Sequence, residues 1–177
     1  ELLLTALDQG AEKALLLLGG SATNDGGAGM LQALGARFLD QNGEPLPPGG
    51  AALSQLASLT LEGLDPRLAG LTLEAAVDVD NPLLGARGAS AVFGPQKGAS
   101  PDEVEQLDRA LSHFADISAA VLGNDYRALP GAGAAGGMGF AAKAFLNASL
   151  KPGIEMIMQQ ADMATLLARA DLVITGE

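Results

Sequence analysis

The chain has no cysteine and no tryptophan, and only one tyrosine and one histidine. Without cysteine there is no disulfide framework and no thiol nucleophile, and a cytoplasmic setting is the natural expectation. One histidine and no cysteine leave no His/Cys zinc cluster, so any metal would have to be a hard cation held by carboxylates and hydroxyls. Aromatics are 3% of the residues, too few for a surface that stacks nucleic-acid bases, and the core is expected to be built from Leu, Val, Ala and Met. Cations are also scarce: ten Lys and Arg stand against 21 Asp and Glu, a net charge of −11. Such a surface repels nucleic acid and anionic membrane, so an anionic substrate must be held by a few focused cations or a metal. No apolar run approaches the roughly 18 residues of a transmembrane helix, and no signal peptide is visible.

What is present is glycine, 24 residues of it, in a chain of 177 that is 48% apolar. That length suits one domain or one and a half, with a substantial core. The chain is organised around Gly19-Gly20-Ser21-Ala22-Thr23-Asn24-Asp25-Gly26-Gly27-Ala28-Gly29-Met30. An apolar run from Ala14 to Leu18 leads into it and a helical pattern from Met30 leads out. Glycines let the backbone approach a ligand, Ser21, Thr23, Asn24 and Asp25 offer polar groups, and the helix start offers N–H groups that suit an anion. Such a turn can equally be a connection only.

Along the chain, a helix is expected over 1–9, ended by Gly10, and a strand over 13–18. The uninterrupted Leu15–Leu18 run suggests burial on both faces, as in a parallel sheet. A helix over about 26–35, a short strand from Arg37 with an Asn42-Gly43 turn, a connection over 45–50 and a helix over 50–58 follow; 59–68 reads as irregular, with a turn at Asp65-Pro66. The acids around Asp40 lack the spacing of an EF-hand loop. The second strand, 71–78, ends in Asp78-Val79-Asp80-Asn81-Pro82, which puts carboxylates where α/β proteins place ligands. Residues 85–98 read as a long loop carrying Arg87, Gln96 and Lys97. Ser100-Pro101-Asp102-Glu103 is a capping box that opens a helix with an apolar stripe of Val104, Leu107, Leu111, Phe114, Ile117 and Val121. His113 falls opposite Val104 on that helix and is expected to be solvated, without a catalytic role. A second glycine-rich loop, 130–139, precedes a helix over 137–147; short helices over 153–160 and 162–169 and a strand over 171–175 complete an α/β alternation. The first residues read as a helix already under way and the last as a strand that stops as its loop begins, so an internal piece of a longer protein is expected.

Gly131-x-Gly133-x-x-Gly136 matches a dinucleotide fingerprint in letters, but no buried strand precedes it and no strand ending in an acid follows about 20 residues on. A glycine loop opening a helix can still bring N–H groups to an anion. No P-loop sequence is present, and no Ser-His-Asp arrangement is supported. Arg87 and Lys97 flank one loop and could neutralise a carboxylate or phosphate, or could be plain surface cations. Asp25, Asp78 and Asp80 are carboxylates at strand-end loops whose alternative role is capping.

Taken together and in order, the stretch 19–29, Asp78-Val79-Asp80-Asn81-Pro82, Phe93-Gly94-Pro95-Gln96-Lys97-Gly98-Ala99, 130–137 and Leu172-Val173-Ile174-Thr175-Gly176-Glu177 resemble the bacterial class I glycerate kinase family. The resemblance implies two α/β domains, one inserted in a flavodoxin/Rossmann-like other, with the active site between them. On that pattern, 1–35 belong to one domain, 36–170 mainly to the inserted domain, and 171–177 form a strand returning to the first. The implied activity is ATP- and Mg²⁺-dependent phosphorylation of D-glycerate, usually at O2. Family members are about twice this length, so the piece by itself is expected to be inactive; an oligomer is left open. Asp78 would be the base or hydroxyl-orienting carboxylate, with Asn81 shaping its loop. Asp25 would hold Mg²⁺ or a hydroxyl. Gly19, Gly20, Ser21, Thr23, Asn24 and Gly26 would bind substrate or phosphate, Lys97 with Gln96 would neutralise an anion, and Gly131, Gly133 and Gly136 would supply N–H groups. Leu17 departs from the pattern, standing where the family often has glycine. The rival readings are a non-catalytic module for a small anion and a family remnant kept for oligomerisation.

Overall fold

The structure, a computed structural model, describes residues 1–176. In chain order the regular elements are α1 (Leu2–Asp8), β1 (Lys13–Leu17), α2 (Ala28–Ala33), β2 (Arg37–Leu39), β3 (Ser58–Thr60), β4 (Thr72–Ala76), α3 (Ala89–Phe93), α4 (Pro101–Leu122), α5 (Ala134–Leu146), β5 (Ser149–Lys151), α6 (Gly153–Gln160) and α7 (Met163–Ala168). One sheet is parallel, in the order β1-β4-β5, with Leu15 beside Glu74 and Glu74 beside Ser149. The other is the antiparallel pair β2-β3, with Phe38 opposite Leu59.

Two apolar clusters meet at α5. One packs Leu73, Ala75 and Val77 of the parallel sheet against Ala134 and Ala142. The other gathers Leu31, Phe38, Leu53, Leu83, Leu111, Phe114, Phe140 and Ala141. Aromatics are few but not dispersed. Phe114 lies with its ring centroid 5.5 Å from Phe38, 5.7 Å from Phe140 and 6.0 Å from Phe145. Four of the five phenylalanines therefore make the centre that was expected of aliphatic residues alone. A long helix supports it: α4 starts at the capping box, where Ser100 Oγ accepts from Glu103 N–H and Glu103 Oε2 accepts from Ser100 N–H at 2.8 Å.

Several local expectations are corrected. Leu15 and Leu17 of β1 are 43% and 74% exposed, because α5 covers one face of the strand only. Leu17, the departure from the family pattern, thus points away from the packed face and does not crowd it. Residues 50–58 form a 3₁₀ turn, Gly50–Gln55, and then β3; the turn and β3 pack on α4. The expected loop 85–98 holds α3 and a 3₁₀ turn, Pro95–Lys97. The three-residue strand β5 falls between the expected helices over 137–147 and 153–160, where no strand is expected; its place is set by pairing with β4, which no local pattern signals. His113 is half-buried, and its Nε2 lies 2.7 Å from the Leu56 carbonyl oxygen, because the 50–56 segment packs over that flank of α4. Residues 172–176 are not in a ladder, and Leu172, Val173 and Ile174 are exposed; a strand needs a hydrogen-bonded neighbour, and the described residues supply none there. Glu177, the end of the expected strand 171–177, lies outside the described residues. Among the described residues no helix is long and apolar enough to cross a membrane.

Candidate active site

β1 ends at Leu17, and the first glycine loop turns out of the sheet beside the end of β4. Gly20 takes φ +63°, and Cβ atoms on Gly19 or Gly20 would meet nothing within 4 Å, so this part of the loop is open. The next part is closed. Gly26 N–H donates to the Gly136 carbonyl at 2.9 Å, and a Cβ on Gly136 would lie 2.0 Å from the Thr23 oxygen. The two glycine-rich loops therefore touch backbone to backbone, and Gly136 and Gly137 are the residues whose small size permits it, a Cβ on Gly137 falling 2.6 Å from the Gly26 Cα. Gly131, at φ +83°, packs on Val77, and Gly133 N–H donates to the Asn81 carbonyl at 2.9 Å. This second loop is fastened to the end of β4 as well as to the first loop.

Asp25 sits at the start of α2, where its Oδ1 accepts from Gly27 N–H and its Oδ2 from Gly29 N–H, both at 3.0 Å. The anion that the helix start was expected to attract is the chain's own carboxylate. Asn24 turns inward and donates from Nδ2 to Ser90 Oγ at 2.8 Å, with Ser90 fully buried. Asn81 donates to the Arg87 carbonyl at 2.7 Å and shapes its loop. The Arg87 guanidinium pairs at 3.0 Å with Asp80, both well exposed; such a surface pair adds little stability.

Lys97 is placed differently. The 3₁₀ turn that carries it lies between α3 and the capping box of α4, and Gly98 at φ +94° reverses the chain directly after it. From there its Nζ crosses to the first loop, donating to Ser21 Oγ at 2.9 Å and to the Thr23 carbonyl at 2.6 Å. Partial burial lowers the pKa of Lys97 and the charge of Asp25 works against that shift. Asp78 follows β4 and accepts from Gly153 N–H at 2.8 Å through Oδ1; among the described residues its Oδ2 has no hydrogen-bond partner.

These groups border one cleft of about 250 Å³, lined by Leu18, Gly19, Gly20, Ser21, Asp78, Val79, Phe93, Gln96, Lys97 and Ala135. Of the expected site residues the cleft brings together Gly19, Gly20, Ser21, Asp78, Gln96 and Lys97. Thr23 reaches it through its carbonyl on Lys97. Asn24, Asp25, Gly26, Asn81, Gly131, Gly133 and Gly136 lie behind it and hold its walls. Sequence reasoning missed Phe93, Ala135 and Gly153. Ala135 adopts φ +51°, rare for a residue with a Cβ, and nothing in the letters marks it. Gly153, which fixes Asp78, stands only as the first residue of the expected helix over 153–160, and nothing in the letters links it to a carboxylate 75 residues away. Among the described residues no three His, Cys, Asp or Glu side chains group as a metal cage. A cation that keeps its waters and takes one carboxylate plus phosphate oxygens needs no such cage, and the free Oδ2 of Asp78 is a suitable hard donor.

Comparison with known proteins adds the family. The sequence profile of the glycerate kinase family matches residues 1–177. A glycerate kinase of Bacillus subtilis is 55% identical over 177 residues, which is 100% of this chain and 46% of that protein. A glycerate 2-kinase of Escherichia coli is 50% identical, again over 100% of this chain and 46% of the relative. A solved crystal structure described as a glycerate kinase 2 of Salmonella typhimurium LT2 superposes with a TM-score of 0.92 at 53% identity, covering 99% of this chain and 47% of that one. The chain thus spans about half the length of the relatives it matches. With its profile matched from end to end and its fold reproduced in a solved relative, the chain belongs to the glycerate kinase family.

Proposed function

We propose that the whole protein phosphorylates D-glycerate with ATP and Mg²⁺, giving 2-phosphoglycerate, in the cytoplasm. One observation carries the reading: the same small cleft is bordered by an ammonium, Lys97, and by a carboxylate with a free oxygen, Asp78. Transfer of a phosphoryl group asks the protein to align the acceptor hydroxyl, neutralise charge and receive the hydroxyl proton, with little covalent work of its own. Asp78 is suited to orient the hydroxyl and take its proton, because Gly153 N–H holds one oxygen still while the other faces outward. Lys97 and Ser21 supply positive charge and donors, and the open glycines Gly19 and Gly20 let a ligand approach the backbone. When bound, ATP and Mg²⁺ would supply the transferable phosphoryl group and the neutralisation of its charge. Asp25 organises the loop through Gly27 and Gly29 and adds negative charge behind Lys97. The name of the Escherichia coli relative supports transfer to O2.

The test is ADP release by the whole protein with D-glycerate, followed by product identification. Glycerate-dependent ADP and 2-phosphoglycerate are expected, and no turnover from the 177-residue chain alone. Absence of glycerate-dependent ADP refutes the enzyme reading and leaves an anion-binding module.

A further inference from the structure

Lys97 Nζ gives one N–H to Ser21 Oγ and one to the Thr23 carbonyl, which leaves its third N–H without a partner among the described residues. Ser21 Oγ accepts from Lys97, so its own O–H is free to donate. Two unused donors thus sit on atoms 2.9 Å apart, facing one cleft. That spacing suits the two oxygens of a single oxyanion, and an O–H whose oxygen already accepts from an ammonium is a stronger donor than a lone serine.

The rest of the cleft decides which oxyanion. Asp78 borders the same space with a free acceptor oxygen. A phosphate tail could set its anionic oxygens beside that carboxylate only with a cation between them, whereas a hydroxy acid offers a carboxylate to the two donors and a hydroxyl directly to the acceptor. We infer that Lys97 and Ser21 act as one two-donor clamp for the carboxylate of the hydroxy-acid substrate, and that this clamp makes the site select an acid over a neutral polyol. Thr23, through its carbonyl, is the positioning group that aims Lys97; it touches no substrate. The inference rests on the proposed kinase reading for its substrate and goes beyond it in assigning the carboxylate.

The experiment uses the whole protein and the variants Lys97→Met, Ser21→Ala and the double variant. Steady-state kinetics with D-glycerate, with glycerol and with varied ATP are combined with calorimetric titration of D-glycerate in the absence of ATP. Losing a charge-assisted contact predicts about a 100-fold rise in the KM for glycerate in K97M and about 10-fold in S21A, with the KM for ATP changed less than about 3-fold. The preference for glycerate over glycerol should fall by a similar factor in K97M. Because the two donors act together, the double variant should be no worse than K97M by more than about 3-fold. A raised KM for ATP with that for glycerate unchanged, or independent multiplying effects of the two variants, overturns the clamp. If K97M does not fold, S21A and its glycerate-to-glycerol ratio decide the matter. A wild-type protein that binds D-glycerate but does not turn it over sinks the kinase reading alone, and loss of that binding in S21A would still support the clamp; a wild-type protein that binds no D-glycerate sinks the clamp.

Discussion

Gly136→Ala tests the contact on which the cleft's walls depend. Gly136 has φ +69°, and a Cβ there would meet the Thr23 oxygen at 2.0 Å, its carbonyl carbon at 2.7 Å and the Asn24 Cα at 2.8 Å. These are backbone atoms, so no side chain can swing away, and the two loops must part. Three costs follow: left-handed backbone for an L residue, displacement of packed main chain, and loss of the Gly26 N–H bond to the Gly136 carbonyl. Together they amount to roughly 3–6 kcal/mol, above the usual range for a single substitution. Gly85→Ala is the control, because Gly85 also has positive φ, +83°, but open space around it. It should lose only about 1–2 kcal/mol. Urea midpoints of the whole protein, read with both variants, separate the contact from the dihedral. The displaced Thr23 carbonyl is also the acceptor that aims Lys97, so G136A should raise the KM for glycerate where G85A does not. A G136A protein as stable as G85A would show that the loops do not meet as described.

The remaining predictions concern what supports those loops. Phe114→Ala removes a fully buried ring at the centre of the phenylalanine cluster, against which Gly26 also packs, and should lower stability by about 3–5 kcal/mol in urea unfolding. Ser100→Ala breaks the capping box at the start of α4 and should cost about 0.5–2 kcal/mol by the same measurement. Glu74 on β4 joins all three parallel strands, pairing with Lys13 of β1 at 3.1 Å and Lys151 of β5 at 2.8 Å. Its pKa is lowered first by the hydrogen bond from Lys151 and then by that from Lys13. A depressed carboxylate contributes stability that is fully present above its unfolded value, near 4.5, and is lost as pH falls through the lower folded value. Thermal midpoints between pH 5 and pH 3 should therefore fall less steeply in Glu74→Gln than in the wild type; parallel curves would remove Glu74 from the acid response.

The parts of the fold that were legible are those whose cause is local. The capping box at Ser100 and the stop at Gly10 depend on neighbours in sequence and appear as read. The apolar strands β1 and β4 stand at their expected places. What was misread depends on distant partners. β5 and β3 are three residues each, too short for a period, and exist because β4 and β2 are there to pair with them. Periodicity put His113 on a free face of α4, but the segment 50–56, more than fifty residues away, covers it. Composition counted few aromatics and could not tell that four phenylalanines would converge.

For the site, the sequence alone determined the chemistry on offer: two glycine loops, carboxylates at a strand end, and one lysine between glycines in a chain poor in cations. Motif order pointed to the family. Which of those groups share a cleft was decided only in three dimensions. Arg87 and Lys97 look equivalent as letters, yet Arg87 pairs with exposed Asp80 while Lys97 reaches Ser21 and the Thr23 carbonyl. Asp25 and Asp78 are likewise both loop carboxylates, yet Asp25 has both oxygens on backbone N–H groups and Asp78 keeps one free. Residue type sets what a side chain can donate or accept; the close approach of loops far apart in the chain, permitted by glycines such as Gly136, decides what it meets.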